Sequence, residues 1–141
     1  LQGLNPTEAT EENLTEIFKL LAWIKNWYQE NIEFVNGESR SVNVTDTLAT
    51  KIILGSLGCI PAYDRYFIDG IRKTGLKYSG IKPANFRSLV QYYKNNEAQF
   101  SSAANEILKK TGIMYPAMKL VDMYFWEIGF EIDQKSSNKA N

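Results

Sequence analysis

The sequence predicts an all-α domain of about six packed helices in a single orthogonal-type bundle. Apolar residues recur at three- and four-residue steps through most of the chain, the spacing that gathers them on one helical face. Proline and glycine fall between these periodic stretches, at Pro61, Gly75, Pro83, Gly112 and Pro116, where helices start and stop. A chain of 141 residues, 44% hydrophobic and 23% charged, has the size and composition of one domain. Such a chain buries roughly two-thirds of the surface it exposes when unfolded. The reading places that helical domain at residues 1–132 and a frayed polar tail at 133–141.

The first helix follows from Leu14, Ile17, Phe18, Leu21, Ile24 and Tyr28. Asn5-Pro6-Thr7 marks its start, and Glu8, Glu11, Glu12 and Glu16 complement the positive end of the helix dipole. It is predicted over Thr7 to Gln29, with Trp23 and Trp27 widening its apolar face. Residues 31–44 break the period. There Ile32 to Val35 and Ser41 to Val44, joined through Asn36-Gly37, suit either a small β-hairpin or an ordered loop.

The second helix opens at Thr45 or Asp46 as N-cap, carries Leu48, Ile52 and Ile53 on one side, and ends near Leu57. Gly55 and Gly58 are expected to allow a close helix approach and a sharp turn. The third helix is predicted over Pro61 to Lys73, with Tyr63, Phe67, Gly70 and Ile71 apolar and Gly75 as its cap. The fourth spans Pro83 to Asn95 and turns Phe86, Leu89, Val90 and Tyr93 inward. The fifth spans Glu97 to Lys110 with Phe100, Ala103, Ala104, Ile107 and Leu108. The sixth runs from Pro116 to about Glu127, with Gly129 beyond its end.

Composition excludes several chemistries. The chain has no histidine and a single cysteine, Cys59, so it can form neither a Ser-His-Asp triad, a histidine-ligated metal site nor an internal disulfide. No cofactor and no metal site is predicted, since the sequence lacks D-x-D and E-x-x-E clusters outside the acidic Glu8 to Glu16 run, itself read as a solvated helix start. A free thiol and the lack of a secretory signal pattern point to the cytoplasm. The apolar stretches Lys51 to Tyr63 and Met118 to Phe130 fall short of the about 20 uninterrupted apolar residues a membrane span needs. The chain begins at Leu1, which reads as a domain excised from, or part of, a longer protein.

Charge is balanced overall, 16 basic against 16 acidic residues, but not along the chain. Residues 61–96 hold seven basic and two acidic residues. Arg65, Tyr66, Arg72, Lys73, Lys77, Lys82 and Arg87 from this stretch are candidate nucleic-acid contacts, mixing phosphate-binding cations with stacking aromatics. The competing reading is a solvated helix face above core tyrosines. Cys59 beside Ile60 reads as a small buried filler. Asp64, in the first turn of the third helix, would stabilise that helix through its dipole.

Asp64 also sits in a motif. The stretch DTLATKIILGSLGCIPAYDRYFIDGI from Asp46 to Ile71 places Pro61, Asp64, Phe67 and Ile71 in the pattern P-x-x-D-x-x-[VF]-x-x-x-[LI] after a buried apolar helix. In this it resembles the helix-hairpin-helix DNA glycosylases of the endonuclease III type. The resemblance implies that Asp64 is a catalytic carboxylate acting on a flipped nucleotide. Where the family has its glycine-rich hairpin this chain has RSVNV, Arg40 to Val44. The family's lysine would fall near Asp46, with Lys51 one and a half turns further on, and the cluster cysteines have no counterpart. The implied activity is therefore that of a monofunctional hydrolase.

The sixth helix carries Met118, Met123, Trp126 and Phe130 among apolar residues on nearly every side, which makes these four candidate contacts for a protein partner or a second copy. The leading expectation is thus a non-enzymatic helical interaction or scaffold domain. The alternative is a nucleic-acid-binding domain related to the glycosylases, active or degenerate.

Overall fold

A computed structural model describes residues 1, 4–5, 8–32, 34–35, 37–39 and 44–138. It is all-helical in character, with six helices among the described residues: α1 (Glu11–Asn31), α2 (Asp46–Leu57), α3 (Arg65–Lys73), α4 (Pro83–Asn95), α5 (Glu97–Thr111) and α6 (Ala117–Ser137). None of these is long and apolar enough to cross a membrane. Between α1 and α2 a minimal antiparallel ladder pairs β1 (Phe34–Val35) with β2 (Glu38–Ser39) around Gly37 at φ +80°. The second strand falls earlier than the Ser41 to Val44 pattern predicts. Residues 41–43 lie outside the described residues, and Val44 is buried in the core instead.

The core is one cluster in which Ile17, Ile53, Ile60, Tyr63, Phe67, Phe86, Met118, Val121 and Phe125 are almost wholly enclosed. Its axis is the α3–α6 pair, which runs antiparallel at very short range. Gly70 of α3 lies directly against the Phe125 carbonyl of α6, and Gly129 of α6 against the Tyr66 carbonyl of α3. A glycine inside a helix costs about 1 kcal/mol relative to alanine. Here the missing Cβ is what allows the two backbones to meet, so Gly129 belongs to the helix interior rather than marking its end.

Three helix ends depart from the sequence reading. α1 starts at Glu11, not Thr7, because Thr10 closes a capping box: its hydroxyl accepts from the Asn13 N–H at 3.2 Å while the Asn13 side chain accepts from the Thr10 N–H at 3.0 Å. α3 starts at Arg65, not Pro61. The backbone N–H groups of Ala62 and Tyr63 donate to Asp122 Oδ1 at 2.9 Å and Thr50 Oγ1 at 3.1 Å, the Asp64 N–H turns back to the Ala62 carbonyl at 3.0 Å, and Asp64 is the N-cap, accepting from the Phe67 N–H. α6 continues to Ser137, past both Glu127 and the tail predicted to fray from Asp133. Asp133 anchors the last turns to α3 by accepting from Arg65 at 3.0 Å and the Tyr66 hydroxyl at 3.2 Å, and Glu131 pairs with Lys135 one turn on. Residues 139–141 of that tail lie outside the described residues.

Thr45 caps α2 by accepting from the Leu48 N–H. Of the two glycines near the end of α2, Gly58 is left-handed at φ +65° against Pro116, whereas Gly55 faces open space and brings no helix closer. Trp23 and Trp27 do not join the core face of α1. They are 60% and 42% exposed, at the rim of a shallow apolar depression with Leu20, Ile52 and Leu57.

Candidate functional site

The segment 58–64, which turns at Gly58 and leads into α3, borders a concave apolar feature. Asp122, almost fully buried on α6, holds the segment at Ala62, and on α2 the Thr47 hydroxyl donates to the Tyr63 carbonyl at 2.8 Å. Asp64 thereby comes to the start of α3 as its N-cap, one oxygen accepting from the Phe67 N–H at 3.0 Å and the other facing Lys51 Nζ at 3.5 Å. Both carboxylate oxygens are engaged.

Beside Asp64 opens a groove of about 1060 Å³ between α5 and α6, closed at one end by α2 and the 62–64 segment. Its α5 wall is Gln99, Phe100, Ala103 and Ile107, and its α6 wall includes Leu120, Met123, Tyr124 and Ile128. α5 is anchored by a single buried side chain, Phe100, stacked on Tyr93 at 5.1 Å between ring centres. Both facing helices therefore leave apolar surface uncovered. Met123 and Tyr124 are 37% and 41% exposed. Tyr92 at the groove floor hydrogen-bonds the Tyr124 hydroxyl at 3.0 Å, and burial, with that bond, pushes its phenol up to about 12.

The charged groups of the groove are Lys51, Lys119, Asp64, Asp122, Glu127 and Glu131. Lys119 bonds Asp122 at 2.8 Å, so this end of the groove carries two matched ion pairs. The carboxylates outnumber the lysines.

In comparisons with known proteins, no family model, no curated protein and no solved structure matches this chain.

None of the seven candidate nucleic-acid contacts lines the groove. Arg65 is held by Asp133 and lies over the Tyr66 ring at 4.6 Å, and Tyr66 in turn packs edge-on to Trp126 and Phe130. Arg72 pairs with Asp69 at 3.6 Å, and Arg87 with Glu11. Lys73, Lys77 and Lys82 are exposed, without an ion pair among the described residues. The basic stretch is thus continuous in sequence, while in space its three arginines are paired with carboxylates and these three lysines are not. Of the four candidate partner contacts, Met123 and Trp126 line the groove and Phe130 stacks on Trp126 at 5.0 Å. Met118 is wholly buried within the core cluster and presents no surface.

Sequence reasoning missed the α5 wall. The residues there look like an ordinary core stripe, and the one available signal is that alanines occupy Ala103 and Ala104 where a packed helix would carry larger side chains.

Cys59 is fully buried, and burial pushes its thiol up. Burial likewise raises Tyr63, Tyr78, Tyr92 and Tyr93. Each of these groups binds its proton more tightly folded than unfolded. Their stabilisation is complete below the unfolded thiol and phenol values, about 8.5 and 10, and is lost as pH rises through the folded ones. We expect stability by urea titration to decline steadily from about pH 9 upward. Cys59 is expected to react with a thiol probe at neutral pH only at the rate of unfolding; stoichiometric labelling within mixing time would contradict its burial.

Proposed function

We propose that this domain is a non-enzymatic protein-interaction module whose α5–α6 groove receives an amphipathic helix of a partner. The observation that carries the reading is the groove itself: two helices present facing apolar walls that nothing among the described residues fills. An apolar trough bordered by polar groups suits helix-in-groove recognition, in which partner residues at i, i+3, i+4 and i+7 enter together. Burying such a surface supplies the binding energy, at roughly 25 cal/mol per Å² less the ordering costs of association.

The nucleic-acid reading has less support. Asp64 beside Lys51 at the α2 end of the groove is the feature that favours it. Against it, four carboxylates line that groove and each arginine of the basic stretch is already held by a carboxylate. A polyanion gains its affinity by replacing counterions with free cations, which on this stretch leaves the exposed lysines, and none of them lines the groove.

Helical peptides selected from a display library against the domain test the proposal. Met123 is partly exposed, so Met123→Glu retains the fold while placing a charge on the α6 wall. It is expected to weaken the selected binders at least about tenfold, as truncating a central contact does. Binders indifferent to Met123→Glu would place recognition elsewhere. Salt-sensitive DNA binding that survives Met123→Glu but is lost when Lys73, Lys77 and Lys82 are neutralised would replace this reading with the nucleic-acid one.

A further inference from the structure

The groove is chemically lopsided. At its α2 end the charges cancel, Lys51 against Asp64 and Lys119 against Asp122. The α5 wall contributes no charged residue to the lining. What remains is the α6 lip, where Glu127 and Glu131 stand one helical turn apart. Glu127 has no ion pair among the described residues. Glu131 pairs with Lys135 at 3.0 Å, but both side chains are more than half exposed, and an exposed i,i+4 pair is weak enough to exchange for another cation.

Resting on the groove reading above, we infer that the occupant is a basic amphipathic helix, with lysine or arginine at two positions one turn apart on the flank that lies along the α6 lip. The dimensions agree. From Leu120 to Glu131 the α6 wall rises about 16 Å, which matches about three turns of a docked helix. A volume of about 1060 Å³, open along its length, is at the upper limit of small-ligand pockets. The lip selects by charge. A basic flank gains two carboxylate partners at the border of an apolar trough, and an acidic flank meets like charge there, which discriminates between helices whose apolar stripes are the same.

The experiment uses three labelled, helix-stapled peptides of about three turns with one shared leucine stripe, carrying two lysines, two glutamines or two glutamates on the same flank. Fluorescence anisotropy is read at low and high salt, against the wild-type domain and the Glu127→Lys/Glu131→Lys variant. Both positions are exposed, and a thermal melt verifies that the variant folds. The expected result is at least tenfold tighter binding of the lysine peptide than the glutamine peptide, a gap that closes at high salt, and a reversed preference in the double variant. Equal affinity for all three peptides, each weakened by Met123→Glu, would overturn the charge assignment and leave the groove reading standing. A lysine preference unchanged in the double variant would move the acidic partner away from the lip and overturn the inference. Failure of all three to bind would overturn both readings. A dimer in sedimentation that Met123→Glu dissolves would give the groove to a second copy and also overturn this one.

Discussion

Gly129→Ala is expected to destabilise the domain by at least about 3 kcal/mol, a large part of the total stability of a chain this size. A Cβ at this position would lie 1.9 Å from the Tyr66 carbonyl oxygen and 2.6 Å from its carbon. These are backbone atoms of a packed helix, so no rotamer change can make room. The only relief is to move α3 away from α6, which loosens Phe67 and Phe125, whose rings meet edge-on at 5.7 Å in the centre of the core. Gly70→Ala is its mirror image, with a Cβ 1.9 Å from the Phe125 carbonyl oxygen, and a similar loss is expected. Gly55→Ala is the control. Gly55 is also helical, but its Cβ would meet nothing within 4 Å, so the substitution should be neutral or stabilising by about 0.4–1 kcal/mol through lower unfolded-chain entropy. Urea midpoints for the three variants check this; a loss at Gly129 no larger than at Gly55 would contradict the α3–α6 geometry.

Asp122→Ala is the second large effect, expected to cost about 2–3 kcal/mol. Asp122 is 6% exposed and serves two groups, the Ala62 N–H at 2.9 Å and the Lys119 ammonium at 2.8 Å. Removing its side chain strands a buried N–H, whose desolvation is then uncompensated, whereas Lys119 is one-third exposed and can turn to water. Asp122→Asn separates the two roles. The amide oxygen still accepts from Ala62, so a loss below about 1 kcal/mol is expected, and the difference between the variants measures the link between α6 and the 58–64 segment. The same link bears on the groove. With the segment released, Asp64 loses its defined position beside Lys51, and Asp122→Ala should weaken groove binders even at temperatures where the domain remains folded.

Much of this was legible in the residues. The inward stripes of α1 and α4, Leu14, Ile17, Leu21 and Ile24, then Phe86, Leu89 and Tyr93, appear in the sequence at helical spacing and are buried in the structure. The boundaries of α4 also agree, because Pro83 supplies a first-turn residue with no N–H to satisfy. The 61–64 segment was not legible. A proline followed by apolar residues resembles a helix start, but Asp64 is the residue that caps α3, after a tight turn of its N–H to the Ala62 carbonyl, and partners distant in sequence, Thr50 and Asp122, tie that turn down. The aromatic side chains were equally ambiguous. Trp23 is exposed and Tyr63 is buried, although periodicity places both on apolar faces. The glycosylase-like motif is subject to the same ambiguity: Pro61, Asp64, Phe67 and Ile71 in this fold are a residue of the turn before α3, a helix cap and two core side chains.

The sequence by itself determined the helical class, most helix positions and the apolar content that must be buried, because helix periodicity, capping and proline or glycine punctuation act within a few residues of one another. Only the tertiary structure decided which apolar faces close and which stay open. That choice depends on how near two helices can come. Gly70 and Gly129 bring α3 and α6 into backbone contact and seal that face, while α5, anchored through Phe100, stands off from α6 and leaves the groove. Charge behaved the same way. The run of cations in residues 61–96 was read along the chain, and the fold paired its arginines with Glu11, Asp69 and Asp133. Electrostatic partners are set by distance in space, and for Glu11 and Asp133 that distance spans much of the chain.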